Sequence, residues 1–156
     1  MAFKKSYGGK YQTAPLQRSG SARGTFRVKT SVRSFRDLDV YKQTTQLSSD
    51  IYKLKLLQNL GVDSEVDVLR ALSKQIPRFI AESYGDKFTS RPHALQKLER
   101  SMRYISDIIV KIDFLLTFLD DADIEAKEAL RAFVQKYQTQ RIKILNLKRA
   151  WERMGK

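Results

Sequence analysis

From Phe35 to the end of the chain, apolar residues recur every three or four positions, which is the spacing of one face of an α-helix. No stretch sustains the alternation of a strand, and the Asn-Gly or Asp-Gly pair of a tight hairpin does not occur. Gly61 and Gly85 suit the ends of helices. The pattern predicts four helices, over about residues 37–58, 64–84, 91–119 and 124–154.

The third of these helices has the clearest pattern. Ser90 can cap it, and Pro92 lies in its first turn, where a missing N–H is harmless. Apolar residues then follow in steps of three and four over more than three heptads, at Leu95, Leu98, Met102, Ile105, Ile109, Ile112, Leu116 and Leu119. Such a seam indicates the core of a helical bundle.

In the other three predicted helices, the row of apolar residues along one face (the stripe) is interrupted by a polar residue or a proline. Thr44 falls where the first helix would place an apolar side chain, and Pro77 lies inside the second helix, where it is expected to produce a kink. Arg141 and Lys148 interrupt the fourth stripe. We therefore expect the late turns of that helix to project partly beyond the bundle.

Four amphipathic helices joined by short loops predict an all-α protein, an antiparallel up-down-up-down four-helix bundle. The alternative is a pair of helical hairpins completed by oligomerisation. The bundle is expected to span residues 35–156, after a basic tail over residues 1–34 that is predicted to be disordered in isolation.

The net charge of the chain indicates a class of function, the binding of polyanions. The chain has 30 Lys and Arg against 17 Asp and Glu, a net charge of +13, which attracts RNA, DNA or an acidic membrane surface. The first 34 residues contain eight basic residues and no acidic one, so they supply +8 of the total. Tyr7 or Tyr11 can stack on bases. A transit peptide and a merely solubilising tail are the alternatives.

The end of the fourth helix is a second basic element. A helix end of this charge also complements its own dipole, so a solvated face is the competing interpretation. The candidate nucleic-acid-binding residues are Lys136, Arg141, Lys143, Lys148, Arg149 and Arg153 in this helix, and Arg18, Arg23, Arg27, Lys29 and Arg33 in the tail.

The sequence offers little catalytic chemistry. It has no cysteine and a single histidine, His93, and it lacks glycine-rich phosphate loops and nucleophile elbows. The acidic cluster between Asp120 and Glu128 lacks the spacing of a calcium loop. We therefore expect that the protein is not an enzyme and that it binds neither a metal ion nor a cofactor. No apolar run approaches the roughly 18 residues of a membrane span, so we expect no membrane partner. The absence of cysteine fits a reducing cytosol, and we expect a cytoplasmic protein.

Two segments resemble a known family. The first is Phe35-Arg-Asp-Leu-Asp-Val-Tyr41, followed by Leu47 and Ile51-Tyr52, and the second runs from Ser73 to Gly85 with its interior Pro77. Together they resemble the bacterial four helix bundle proteins encoded within 23S ribosomal RNA intervening sequences. That family is similar to the accessory variability determinant of diversity-generating retroelements.

The resemblance implies a homo-oligomer, a pentamer, that binds nucleic acid and supports a reverse transcriptase without being an enzyme. RNA is the expected nucleic acid. The alternative function is a protein-interaction scaffold of the intervening-sequence family with an acidic protein partner. The resemblance covers about residues 35–154 and leaves the tail aside.

Overall fold

The computed structural model describes residues 31–54, 63–119 and 123–155. A 3₁₀ turn at Phe35–Asp37 precedes helices α1 (Asp39–Tyr52), α2 (Asp63–Asp86), α3 (Arg91–Leu116) and α4 (Ile124–Arg153). Helix α2 packs between α1 and α3, and α4 packs on both α3 and α1, which closes the ring of four. The predicted all-α four-helix bundle is confirmed.

The core-facing stripe of α3 is wider than the predicted seam. Leu98, Ile105 and Ile112 are completely buried as expected, but Leu95 and Ile109 are only partly buried. A second row of fully buried side chains lies one residue before the predicted position in each heptad. It consists of Ala94, Ser101, Ile108 and Leu115. Because α3 contacts both α2 and α4, it buries side chains on two flanks rather than along one line.

Helix α1 is shorter than predicted. It ends at Tyr52, and the N–H of Lys53 bonds to carbonyls of the last turn, including Ser49 at 3.2 Å. Residues 55–62, with the predicted end of this helix and Gly61, lie outside the described residues. Before α1, Ser34 and Asp37 form a capping box around the 3₁₀ turn.

The buried Thr and Ser hydroxyls between α1 and α2 find hydrogen-bond partners inside the core. Thr44, the polar interruption of the first stripe, is fully buried, and its hydroxyl donates to the carbonyl of Val40 at 2.6 Å. Between α1 and α2, the Oγ atoms of Ser48 and Ser73 are 3.0 Å apart, and Ser73 also donates to the carbonyl of Arg70 at 2.7 Å. A hydroxyl has one proton, so Ser48 is the donor to Ser73.

Pro77 is buried inside α2, and the helix continues beyond it to Asp86. Because residue 77 has no N–H, the carbonyl of Ser73 loses its usual helical partner. The proline therefore removes one backbone bond without ending the helix.

The expectation that the end of α4 projects beyond the bundle is wrong. Trp151 is only 3% exposed, and the Nζ atom of Lys87, beyond the end of α2, lies 5.1 Å from the centre of its ring. The buried stripe passes through Gln140 rather than Arg141, which keeps the steps of three and four intact between Tyr137 and Ile144. Burial also raises the pKa of the Tyr137 hydroxyl, which therefore stays protonated.

Substitution of the α3 core should destabilise the bundle selectively. Ile112→Ala deletes fully buried methyl groups, so it should lower the free energy of unfolding by about 2–5 kcal/mol in urea titrations. Val110→Ala, at a site 69% exposed in the same helix, should change it by less than about 0.5 kcal/mol. Equal effects of the two substitutions would contradict the burial pattern.

Candidate nucleic-acid interface

The tail candidates fall into two groups. Arg18, Arg23, Arg27 and Lys29 lie outside the described residues. Arg33 is exposed, and its backbone N–H donates to the Asp37 carboxylate at 3.0 Å. The neighbouring carbonyl of Val32 accepts a bond from the Tyr84 hydroxyl at 3.3 Å, so the chain meets the bundle beside the end of α2.

Two of the α4 candidates already have anionic partners. The Nζ atom of Lys143 lies 2.8 Å from the Asp39 carboxylate of α1. The Nζ atom of Lys148 lies 2.8 Å from Glu99 of α3 and 3.2 Å from Glu152. These two lysines connect helices, which makes them weaker candidates for phosphate contacts than the sequence indicated.

The pKa shifts of Glu99 and Lys148 agree with the ion pair between them. The hydrogen bond from Lys148 lowers the pKa of the Glu99 carboxyl, and the same bond is the largest cause of the raised pKa of Lys148. Both shifts favour the charged forms, so the pair is intact at neutral pH.

The other four α4 candidates are exposed but do not form one surface. No carboxylate in the described part of the chain pairs with Lys136, Arg141, Arg149 or Arg153. Arg149 and Arg153, four residues apart, share an outer face, whereas Arg141 follows the buried Gln140 at the edge of the core stripe. The helix therefore spreads its cations around its circumference.

A groove between α1 and α2 brings rings and cations together. Its volume is about 490 Å³, and its walls include the aromatic rings of Phe35, Tyr41 and Tyr52. Lys74 and Arg78 line the opposite side. Pro77, Ala81 and the hydroxyls of Thr45, Ser48 and Ser49 complete the lining.

Lys74 and Arg78, which line this groove, belong to a row of cations with a four-residue spacing on α2. Arg70, Lys74 and Arg78 are successive members of one helical face, about 6 Å apart along the axis. The Nζ atom of Lys74 is 4.4 Å from the centre of the Tyr52 ring, and the Arg70 guanidinium is 6.0 Å from it. The surface therefore combines a row of positive charge with a partly exposed aromatic ring.

The carboxylates near this row are local to α2. Arg70 pairs with Asp67 at 2.9 Å, and Arg78 pairs with Glu82 at 2.9 Å. Lys74 has no carboxylate partner among the described residues. The Nε atom of Arg70 is buried and finds no hydrogen-bond acceptor there either. The row thus retains a free cation at its centre.

A smaller cavity lies on the flank of α2 that faces α3. The rings of Phe79 and Tyr104 stack with their centres 5.5 Å apart, and the Arg100 guanidinium lies 5.9 Å from the Phe79 ring. Arg103 and Asp107 complete the lining of a volume of about 280 Å³. Rings and cations therefore flank α2 on both sides.

The sequence analysis missed this α2 surface. Its signal was nevertheless present: cations at positions 70, 74 and 78 repeat every four residues on the polar side of the stripe. The groove is also where the two segments that resemble the four helix bundle family meet, because Phe35 and Tyr41 come from the first and Pro77 and Arg78 from the second.

The described residues do not bring together the ligands of a metal site. Across residues 31–54, 63–119 and 123–155, no group of three or more His, Cys, Asp or Glu side chains is placed to hold a metal ion. Nor does any helix in these ranges combine the length and the apolarity needed to cross a bilayer. His93 is exposed in the first turn of α3.

Comparison with known proteins leaves the family open. No protein-family model matches the chain, and no solved structure matches it. The chain is 27% identical over 110 residues to the septation ring formation regulator EzrA of Lactiplantibacillus plantarum (strain ATCC BAA-793 / NCIMB 8826 / WCFS1). The match covers 70% of this chain and 19% of that regulator, so the chain spans about a fifth of its length. The resemblance to the four helix bundle family stays a prediction.

The ion pair of Glu99 and Lys148 predicts a pH-dependent contribution to stability. The folded-state pKa of Glu99 is lowered, so the pair contributes above the ordinary pKa of 4.5 and is lost as the pH falls through the folded value. Since Glu99 is half exposed, Glu99→Gln should lower the free energy of unfolding at pH 7 by about 0.2–1 kcal/mol.

The urea midpoints of this variant and the parent protein should converge in strong acid. Asp113→Asn serves as the control, because Asp113 is exposed on the same helix and has no ion-pair partner within the described ranges. A difference between parent and Glu99→Gln that persists unchanged in strong acid would contradict the assignment.

Proposed function

We propose that this protein is a non-enzymatic, oligomeric nucleic-acid-binding accessory protein with RNA as its ligand. The observation that carries the proposal is the row of Arg70, Lys74 and Arg78 along α2, whose first two members lie beside the ring of Tyr52. Phe35 lines the groove and lies only four residues from Ser31, the first described residue. The eight basic residues of the tail supply further phosphate contacts through their charge.

Electrostatics provide the affinity in this proposal. A net charge of +13 concentrates polyanions around the protein, and each phosphate that a Lys or Arg neutralises releases condensed counterions. The exposed Arg149 and Arg153 of α4 supply further contacts, whereas Lys143 and Lys148 act mainly between helices. Binding of this kind is strong at low salt and falls steeply as salt rises.

Aromatic rings favour nucleic acid over other anionic partners. A membrane surface requires an amphipathic helix with an exposed apolar face, but the face of α2 that lines the groove contains Lys74 and Arg78, opposite the rings of α1. Bases stack on exposed rings, and arginine guanidinium planes add to this stacking. The Phe79–Tyr104 pair with Arg100 offers a second place for such contacts.

The finer assignment rests on the family resemblance. It implies a homopentamer that supports the reverse transcriptase of a diversity-generating retroelement. Val110 and Phe114 on α3 and Phe118 just beyond its end form an exposed apolar row, between 49% and 69% exposed. Such a row suits a contact with another subunit or with a protein partner.

The same apolar row favours a second candidate function. A helical scaffold that binds an acidic protein would use this row together with the basic surface. The similarity to part of EzrA, a septation regulator, is in keeping with an interaction role. Pull-down of a partner that survives nuclease treatment would support the scaffold.

Removing the charge of the tail should weaken nucleic-acid binding in the full-length protein. We expect replacement of its seven cations by Gln to lower the affinity for structured RNA by about tenfold or more at low salt, because fewer counterions are released. The slope of log affinity against log salt should fall as well. The positions are Lys4, Lys5, Lys10, Arg18, Arg23, Arg27 and Lys29.

A matched variant controls for the number of substitutions. It changes seven uncharged polar residues of the tail to Ala, at Ser6, Gln12, Thr13, Gln17, Ser19, Ser21 and Thr25. This variant should bind as the parent does. If the nuclease-treated parent protein binds neither RNA nor DNA at moderate salt, the proposed function is wrong and the scaffold takes its place.

A further inference from the structure

We propose that the groove between α1 and α2 binds unpaired nucleotides of single-stranded RNA, with bases stacked on Tyr52 and Tyr41 and a phosphate held by Lys74. This inference rests on the proposed function and specifies its site and its ligand. The lining of the groove supplies both the rings and the cation that such a ligand needs.

The rings are placed for stacking. Tyr52 is 43% exposed, and Lys74 lies 4.4 Å from the centre of its ring, so a cation and a π-face are adjacent. Tyr41 lies eleven residues earlier on α1, about 16 Å along the helix axis. The ring of Phe35 packs edge-on against Tyr41 at 4.9 Å and holds it in place. The groove therefore offers a stacking ring towards each end.

Polar groups lie between the two rings. Thr45 and Ser49 line the α1 wall, and neither hydroxyl has a hydrogen-bond partner among the described residues. Hydroxyls of this kind can donate to or accept from base edges and ribose groups. Across the groove, Lys74 and Arg78 follow the direction of α2, which suits the phosphates of a strand that runs along the groove.

A single strand suits this geometry better than a duplex. In a duplex the base faces are covered by their neighbours, so they cannot stack on a tyrosine unless the bases are unstacked first. In single-stranded RNA the bases are free to turn towards protein rings. The volume of about 490 Å³ lies within the range of pockets that hold small organic groups.

The charge of the groove argues against the protein's own tail as its occupant. Residues 1–34 contain no acidic side chain, so they would place positive charge beside Lys74 and Arg78. An acidic peptide would meet the cations but would leave the two tyrosines without stacking partners. The nucleotide uses both features of the groove.

The test measures binding of a labelled single-stranded oligouridylate and of a duplex RNA with the same number of phosphates to the full-length protein. Tyr52→Leu keeps apolar bulk but removes the π-face, so it should weaken single-strand binding by about tenfold. Tyr52→Phe keeps the ring and should bind as the parent does. Phe88→Leu, at a ring 72% exposed beyond the end of α2 and outside the groove, is the matched control and should also have no effect.

A charge variant tests the phosphate contact separately. Lys74→Gln should reduce the salt slope for the single strand by about 0.7, the contribution of one phosphate. Arg131→Gln removes an equal charge from an exposed site on α4, outside the groove, and should leave this slope unchanged. Photocrosslinking with 5-iodouridine should label Tyr52 or Tyr41.

The outcomes separate the inference from the proposed function. If the parent binds single-stranded RNA but Tyr52→Leu and Lys74→Gln match their controls, the groove is not the site and nucleic-acid binding elsewhere still stands. Equal losses on single-stranded and duplex RNA also overturn the inference, as do crosslinks confined to the tail or α4. Saturable binding of free uridine monophosphate with the same affinity as the oligomer would replace RNA by a small nucleotide as the ligand. If the parent binds no nucleic acid, the proposed function itself fails.

Discussion

The close contact of α1 with α2 at Ser48 and Ser73 is the constraint on which the rest of the structure depends. Two small side chains with their Oγ atoms 3.0 Å apart allow the helices to approach closely in the core. On the solvent side, larger side chains must then diverge, which opens the groove between the rings of α1 and the cations of α2. Larger apolar residues at these two positions would separate the helices and remove the shared wall.

Several acidic residues of the bundle connect neighbouring helices. Lys97 of α3 lies 2.7 Å from Asp86 and 3.5 Å from Glu82 of α2, and Lys111 of α3 lies 2.6 Å from Glu65 of α2. The lysines of α4 meet Asp39 and Glu99 in the same way. Exposed pairs of this kind add little stability each, but together they place negative charge at helix interfaces and leave the excess positive charge on outer faces.

This arrangement explains what the sequence did and did not predict. The spacing of apolar residues reflects the periodicity of each helix taken alone. The four helices and the burial of Ile105 and Ile112 could therefore be predicted from the sequence. The partners of Lys148 could not, because Glu99 is 49 residues away in the chain and meets it only after α3 and α4 have packed. Likewise, nothing in the local pattern showed that Tyr52 would lie beside Lys74.

The error over the end of α4 has the same origin. Arg141 and Lys148 were interpreted as breaks in an apolar stripe, on the assumption that buried positions are apolar. The bundle instead buries Gln140 at 5% exposure and covers Trp151 with help from Lys87. A polar residue satisfies the helical spacing as well as an apolar one, so spacing was the better guide to burial here than residue type.

Whether α2 or α4 is the better binding surface depends on whether the cations are already paired with carboxylates, and not on the number of cations. A lysine already paired with a carboxylate must give up that pair before it can contact a phosphate, which reduces the net gain from binding. Lys143 and Lys148 are in this position, whereas Lys74 faces only the Tyr52 ring among the described residues. An attraction between a cation and a ring survives the approach of a phosphate, because the ring face and the anion occupy different sides of the ammonium group. Arg70 and Arg78 are also paired with carboxylates, so α2 is distinguished by one uncommitted lysine beside a partly exposed ring and not by the amount of its charge.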